Sequence, residues 1–118
     1  MKISEIAKLL DAEVLCGEDK LDCEVKSACG CDMMSDVLAF VKEQSVLVTG
    51  LCNPQVIRTA QMMDMVCIVF VRGKIPPAEV IELAHREGIA LLASKERMYI
   101  ACGKLYCAGL SGGSLLNE

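Results

Sequence analysis

Apolar residues recur along this chain with two different periods, and the period switches several times. In ISEIAKLL, Ile3, Ile6, Ala7 and Leu10 fall three and four apart, which predicts a short amphipathic helix. AEVLCGEDKLDCEVKSACG alternates apolar and polar positions around Gly17 and Asp19. That pattern predicts two short strands, Glu13–Cys16 and Glu24–Cys29, joined by a turn. Gly30 reads as a turn residue. Asp32 or Ser35 then reads as the cap of a helix whose apolar face holds Met34, Val37, Leu38 and Val41.

From Ser45 the alternation of elements is regular. SVLVTG is a short apolar strand ending in glycine. NPQVIRTAQMMDM is a helix, with Asn53 as an N-cap type, Pro54 at the first helical position, and Val56, Ala60 and Met63 on one face. VCIVFVR, Val66 to Arg72, is a continuous apolar strand. GKIPP is a loop, and Pro77 opens the helix PAEVIELAHRE, which buries Val80, Ile81 and Ala84 and stops at Gly88. IALLAS is a third apolar strand. Met98, Ala101, Cys102 and Leu105 define a last helix that ends near Gly109, and residues 111–118 read as a flexible tail. The three strands begin about twenty residues apart with a helix between each pair. Apolar strands joined by amphipathic helices indicate an α/β fold of three layers, a mostly parallel sheet flanked by helices, with right-handed crossovers.

Composition narrows the picture. The 118 residues fit one domain, placed at 1–110, and 53% of them are hydrophobic while only 3% are aromatic, so the core must be aliphatic. A formal net charge of −4 without a basic stripe argues against nucleic-acid binding. No apolar run approaches the ~20 residues of a membrane span, and acids interrupt the apolar pattern of MKISEIAKLLDAEV, so no signal peptide is expected. The expected location is the cytoplasm. Eight cysteines there are expected to be reduced thiols, and Cys67 within VCIVFV to be core.

Chemistry in such sheets sits beyond the carboxyl ends of the strands. Three loops leave those ends: TGLCNP, RGK and SKER. Thr49, Gly50 and Asn53 precede a helix N-terminus, whose N–H groups favour an anion. Arg72, Gly73, Lys74, Ser94, Lys95 and Arg97 lie in the other two loops and add positive charge. The candidate ligand, a small anion or nucleotide, would bind at Thr49, Gly50, Asn53, Arg72, Gly73, Lys74, Ser94 and Lys95. The competing reading makes Gly50 and Gly73 tight turns and the charges solvated, because neither GxGxxG nor GxxxxGK[ST] is present. No catalytic residue is assigned: His85 reads as a surface residue beside Arg86 and Glu87. Cys29 and Cys31 form a CxC pair, the basis of an alternative metal or redox reading, but a structural zinc site wants four ligands and no second cluster occurs. The pair is expected to point to opposite sides of an extended chain, with at least one thiol buried. No cofactor is assigned.

The run SVLVTG through NPQVIRTAQMMDMVCIVFVRGKIPPAEVIELAHREGIALLASKERMY resembles the DRTGG domain. MKISEIAKLLDAEVLCGED and VKSACGCDMMSDVLAFV are similar to the opening of the N-terminal domain of HPr kinase/phosphorylase and, more distantly, of the Mur ligases. The resemblance covers about Met1 to Leu110. It departs at RGK, where the family has a Thr-Gly-Gly turn, and at SKER, where many members have an Asp-Thr pair. It implies a regulatory or oligomerising module, stand-alone and non-catalytic, and a homodimer or larger homo-oligomer, with a protein partner as a further option. The kinase relatives carry their P-loop in a separate domain, so kinase activity is not expected.

Overall fold

The computed structural model describes residues 1–41, 44–112, 114 and 115. The elements run α1 (Ile3–Leu9), β1 (Glu13–Cys16), β2 (Ser27–Gly30), α2 (Met34–Val37), β3 (Phe40–Val41), β4 (Ser45–Thr49), α3 (Pro54–Met62), β5 (Cys67–Phe70), α4 (Ala78–Glu87), β6 (Ala90–Ala93), α5 (Met98–Cys107) and β7 (Ser114–Leu115). Local rules account for most boundaries. Pro54 starts α3 directly after Asn53. Gly88 closes α4 in the left-handed conformation, φ 72°, which glycine adopts without a Cβ penalty.

Five strands form one sheet in the order β1-β6-β5-β4-β2. The pairs β2–β4, β4–β5 and β5–β6 are parallel, and β1 closes one edge antiparallel to β6. The expected three-layer, mostly parallel α/β fold is therefore present, with one more parallel strand than the three read from Ser45 onward. The period-two geometry of the strands divides the core. Val46 and Val48 of β4, Cys67 and Val69 of β5, and Leu92 of β6 pack against α1 and α5. Leu47, Ile68, Phe70 and Leu91 pack against α2, α3 and α4. Both faces are covered, so the strands read as continuous apolar runs rather than alternating ones.

Three local expectations are corrected. The second strand is Ser27–Gly30, not Glu24–Cys29; Glu24 makes only an isolated antiparallel bridge with Lys2. The helix after it is one turn, and neither Asp32 nor Ser35 caps it: Met33 occupies the N-cap position. Met34 and Val37 are buried as expected, but Leu38 is exposed; the side chain of Val41 lies outside the described residues. A four-residue helix has too few turns to bury a longer stripe. Of the C-terminal segment, Ser111 bridges Ser27 and β7 pairs with β3; residues 113 and 116–118 lie outside the described residues.

Candidate functional site

Four parallel strands end along one edge of the sheet, so the loops after β2, β4, β5 and β6 converge there. The register that pairs Gly30 with Val48 carries Asp32, two residues beyond β2, to the end of β4. Its Oδ1 accepts from the Thr49 hydroxyl at 2.9 Å and from the Gly50 N–H at 2.8 Å. Its Oδ2 lies 3.5 Å from a guanidinium nitrogen of Arg72, which comes from the end of β5. Thr49 is completely buried, and its Oγ1 also accepts from the Leu51 N–H at 3.1 Å. Gly50 makes room for the guanidinium: a Cβ there would lie 1.8 Å from Arg72 Nη2. The Gly50 N–H holds the Asp32 carboxyl below the usual carboxylate range; burial, second in size, opposes it, and the Thr49 hydroxyl and Arg72 add lesser lowering effects.

Arg72 has φ 61° and Gly73 φ 69°, both left-handed. For a non-glycine residue that conformation is strained and clusters at functional sites. It is held by two backbone bonds to the next loop: Arg72 N–H donates to Glu96 O at 2.8 Å and Gly73 N–H to Ser94 O at 3.0 Å. The Ser94 side chain is buried; its hydroxyl donates to Leu10 O at 2.7 Å and accepts from the Glu96 N–H at 3.1 Å. Beside these loops lies a cleft of about 420 Å³ lined by Gly73, Ser94 and Lys95, by Ile75, and by the carboxylates Asp11, Glu13 and Glu96. That volume is within the range of small-ligand pockets. Ile75 is 58% exposed and stands at its margin.

The candidate residues thus divide. Thr49, Gly50 and Arg72 join Asp32 in one polar cluster. Gly73, Ser94 and Lys95 line the cleft. Asn53 and Lys74 are exposed; Asn53 caps α3 by position without a side-chain hydrogen bond. Burial pushes the Cys52 thiol up, opposed by the nearby Lys74 and Arg72. The edge is less cationic than the loops alone suggest, because Asp32 offsets Arg72 and three carboxylates face the cleft. Sequence reasoning missed Asp32, Asp11, Glu13 and Glu96. Asp32 was accessible to the same rule that selected Thr49, position just beyond a parallel strand, had SACG been counted among the parallel strands.

Cys29 and Cys31 behave differently from expectation. Residues two apart on an extended chain point to the same side, and both thiols pack against the α2–α3–α4 layer. Neither is fully buried or fully exposed. Cys31 is engaged locally, with its Sγ 3.4 Å from Met33 O and 3.3 Å from Met33 N. Among the described residues, no three His, Cys, Asp or Glu side chains converge to hold a metal ion. The eight cysteines form no disulfide, and Cys67 is core. Among the described residues, no helix is long and apolar enough to cross a membrane.

The sequence matches the DRTGG domain over residues 5–105. No curated protein matches it significantly in sequence. Among solved structures, it is similar to the CBS and DRTGG domains of the regulatory region of Clostridium perfringens pyrophosphatase, complexed with the activator diadenosine tetraphosphate. The TM-score is 0.72 at 18% identity, over 88% of this chain and 45% of that one. The chain therefore spans less than half the length of that neighbour, and the likeness is one of fold.

Proposed function

The chain belongs to the DRTGG domain family, and from that premise we propose that it is a non-catalytic regulatory module. On this reading it binds a small anionic or nucleotide ligand at the carboxyl edge of its sheet and works through association with itself or a protein partner. The observation that carries the ligand part is the cleft of about 420 Å³ placed where Gly73, Ser94 and Lys95 leave their strands, at the same edge of the sheet as the Asp32–Arg72 pair. Open α/β sheets bind ligands at this position. Lys95 and the Arg72 guanidinium would take the anionic group. Because Arg72 is held to Asp32 by one ion pair at 3.5 Å with both side chains about half exposed, turning it to a ligand costs little. Ile75 offers an apolar surface to a base. The neighbouring regulatory region was solved with a dinucleotide activator, which supports testing nucleotides first. Eight cysteines without a disulfide fit a reducing compartment such as the cytoplasm.

Thermal shift against nucleoside mono-, di- and triphosphates, dinucleotide polyphosphates and inorganic phosphate tests this reading. A ligand that binds only the native state adds about 2.7 kcal/mol at a hundred times its Kd. Lys95→Ala and Ile75→Ser should weaken a hit without lowering the unliganded melting temperature. No shift with any of these compounds would remove the ligand reading.

A further inference from the structure

Arg72 stands beside the cleft in the chain, yet its guanidinium is not part of it. The lining includes Gly73, the next residue, but not Arg72. The guanidinium lies instead on Gly50: a Cβ there would be 1.8 Å from Nη2, 2.6 Å from Cζ and 2.8 Å from Nε. Gly50 is the one residue of the TGLCNP loop without a side chain, so the seat exists because a Cβ is missing. The charge of Arg72 faces Asp32 Oδ2 at 3.5 Å. The two oxygens of Asp32 are held differently. Oδ1 accepts from the buried Thr49 hydroxyl and the Gly50 N–H, which keep the carboxylate in place without Arg72. The Oδ2 contact is half exposed, and exposed pairs of this kind are weak. Among the described residues, the cleft has Lys95 as its one cation, against the carboxylates Asp11, Glu13 and Glu96. Lys104 offsets Glu96 at 2.8 Å; Asp11 and Glu13 still outnumber Lys95. At rest, the charge of the cleft does not favour an anion.

We propose that Arg72 is a two-position switch: Gly50 and Asp32 form its resting seat, an anionic ligand in the cleft draws the guanidinium off it, and Asp32 sets the affinity by competing for it. The proposal rests on the ligand reading above and adds how that site is regulated. The backbone of Arg72 is fixed by its N–H bond to Glu96 O and by the Gly73 N–H bond to Ser94 O, so the change is confined to the side chain. A ligand shifts such an equilibrium only by contacts made in one of the two states. A phosphoryl group has that contact, because the guanidinium reaches it only after leaving Gly50. A charge-assisted hydrogen bond outweighs an exposed ion pair, so the phosphoryl group wins the competition. The seat belongs to the loops after β2 and β4, and the cleft to those after β5 and β6. Binding therefore frees the first two loops from the third. Competition has a signature: whatever weakens the seat tightens the ligand.

Calorimetric titration of the whole chain with ATP tests this. Asp32→Asn keeps an Oδ1 acceptor and loses the pull on Arg72, so ATP should bind about two- to fivefold tighter. Gly50→Ala evicts the guanidinium without changing any charge. Gly50 is not left-handed, and the new Cβ meets the end of a flexible side chain, so the variant should fold and tighten ATP by a similar factor. Asp36→Asn removes an exposed carboxylate of α2 as a control for charge alone and should leave the affinity unchanged. Arg72→Gly suits φ 61° and should keep the melting temperature while weakening ATP at least tenfold. If the parent binds ATP and neither Asp32→Asn nor Gly50→Ala binds it tighter, the switch is overturned and the cleft remains. Equal tightening by Asp36→Asn, or full affinity in Arg72→Gly, also overturns it. ATP that binds neither the parent nor Asp32→Asn overturns it too, and the ligand reading then rests on the other compounds of the thermal screen.

Discussion

Asp32 is the side chain on which the carboxyl edge depends, and two substitutions separate its hydrogen bonds from its charge. Asp32→Ala removes the acceptor of the Thr49 hydroxyl and of the Gly50 N–H, and the counter-charge of Arg72. Thr49 is fully buried, so its hydroxyl cannot turn to bulk water; a buried donor left without a partner costs about 1–3 kcal/mol. Gly50 is partly exposed, and its N–H can be rehydrated for about 0.5 kcal/mol. The Arg72 pair has side chains 48% and 45% exposed, which limits it to about 0.2–1 kcal/mol. Together the alanine variant should lose about 2–4 kcal/mol. Asp32→Asn keeps an Oδ1 acceptor for both donors and loses only the charge, so it should lose about 0.5–1 kcal/mol. Urea unfolding at 25 °C followed by circular dichroism measures both, with an unchanged slope confirming that stability alone has moved. The pH dependence is a second readout. Because the folded carboxyl is held below its ordinary value of about 3.9, its contribution is fully present above that value and is lost as pH falls through the lower folded one. The asparagine variant should lack that part of the acid loss. Equal destabilisation by Asn and Ala would refute the assignment of the larger share to hydrogen bonds. An alanine variant as stable as the parent would refute the cluster itself.

Two further outcomes follow from packing. Gly17 has φ +89°, and a Cβ there would lie 2.6 Å from Ala90 Cα and 2.7 Å from Ala90 Cβ. Gly17→Ala combines left-handed strain with overpacking against backbone, about 3 kcal/mol in all, read as a melting temperature lowered by about 10 °C; a loss under ~1 kcal/mol would contradict that contact. Thiol labelling should modify the exposed Cys23 and Cys107 first, whereas Cys16 and Cys67, buried and with thiols pushed up by burial, react only on global unfolding. Labelling of Cys67 at the rate of Cys23 would contradict the core assignment.

Much of the fold was legible because it is written in local periods. β1, α3, α4 and β6 are set by alternation, by three-and-four spacing, and by Pro54 and Gly88 at their ends; β1, α4 and β6 stand within a residue or so of their expected bounds, whereas α3 starts at Pro54 as expected and ends at Met62, three residues before the expected Met65. Cys29 and Cys31 were legible too: period two puts them on one face, and the opposite expectation misapplied it. The resemblance to DRTGG domains rested on element order and the helix PPAEVIELAHREGI, features that survive the loss of the Thr-Gly-Gly turn at Arg72 to Lys74.

By itself, then, the sequence determined most of the longer strands and helices, that both faces of the sheet are covered, and three of the four loops that leave the parallel strand ends; it did not show the short β3 and β7. It did not determine that SACG is a parallel strand beside β4, that Asp32 takes the Gly50 N–H, that Arg72 adopts φ 61°, or that α5 presents its tyrosines outward. The physical reason is one of range. Periods and caps act over a few residues, whereas strand order and register are set by pairings between segments far apart in the chain. A carboxylate two residues past a strand acquires its role only when that register is chosen.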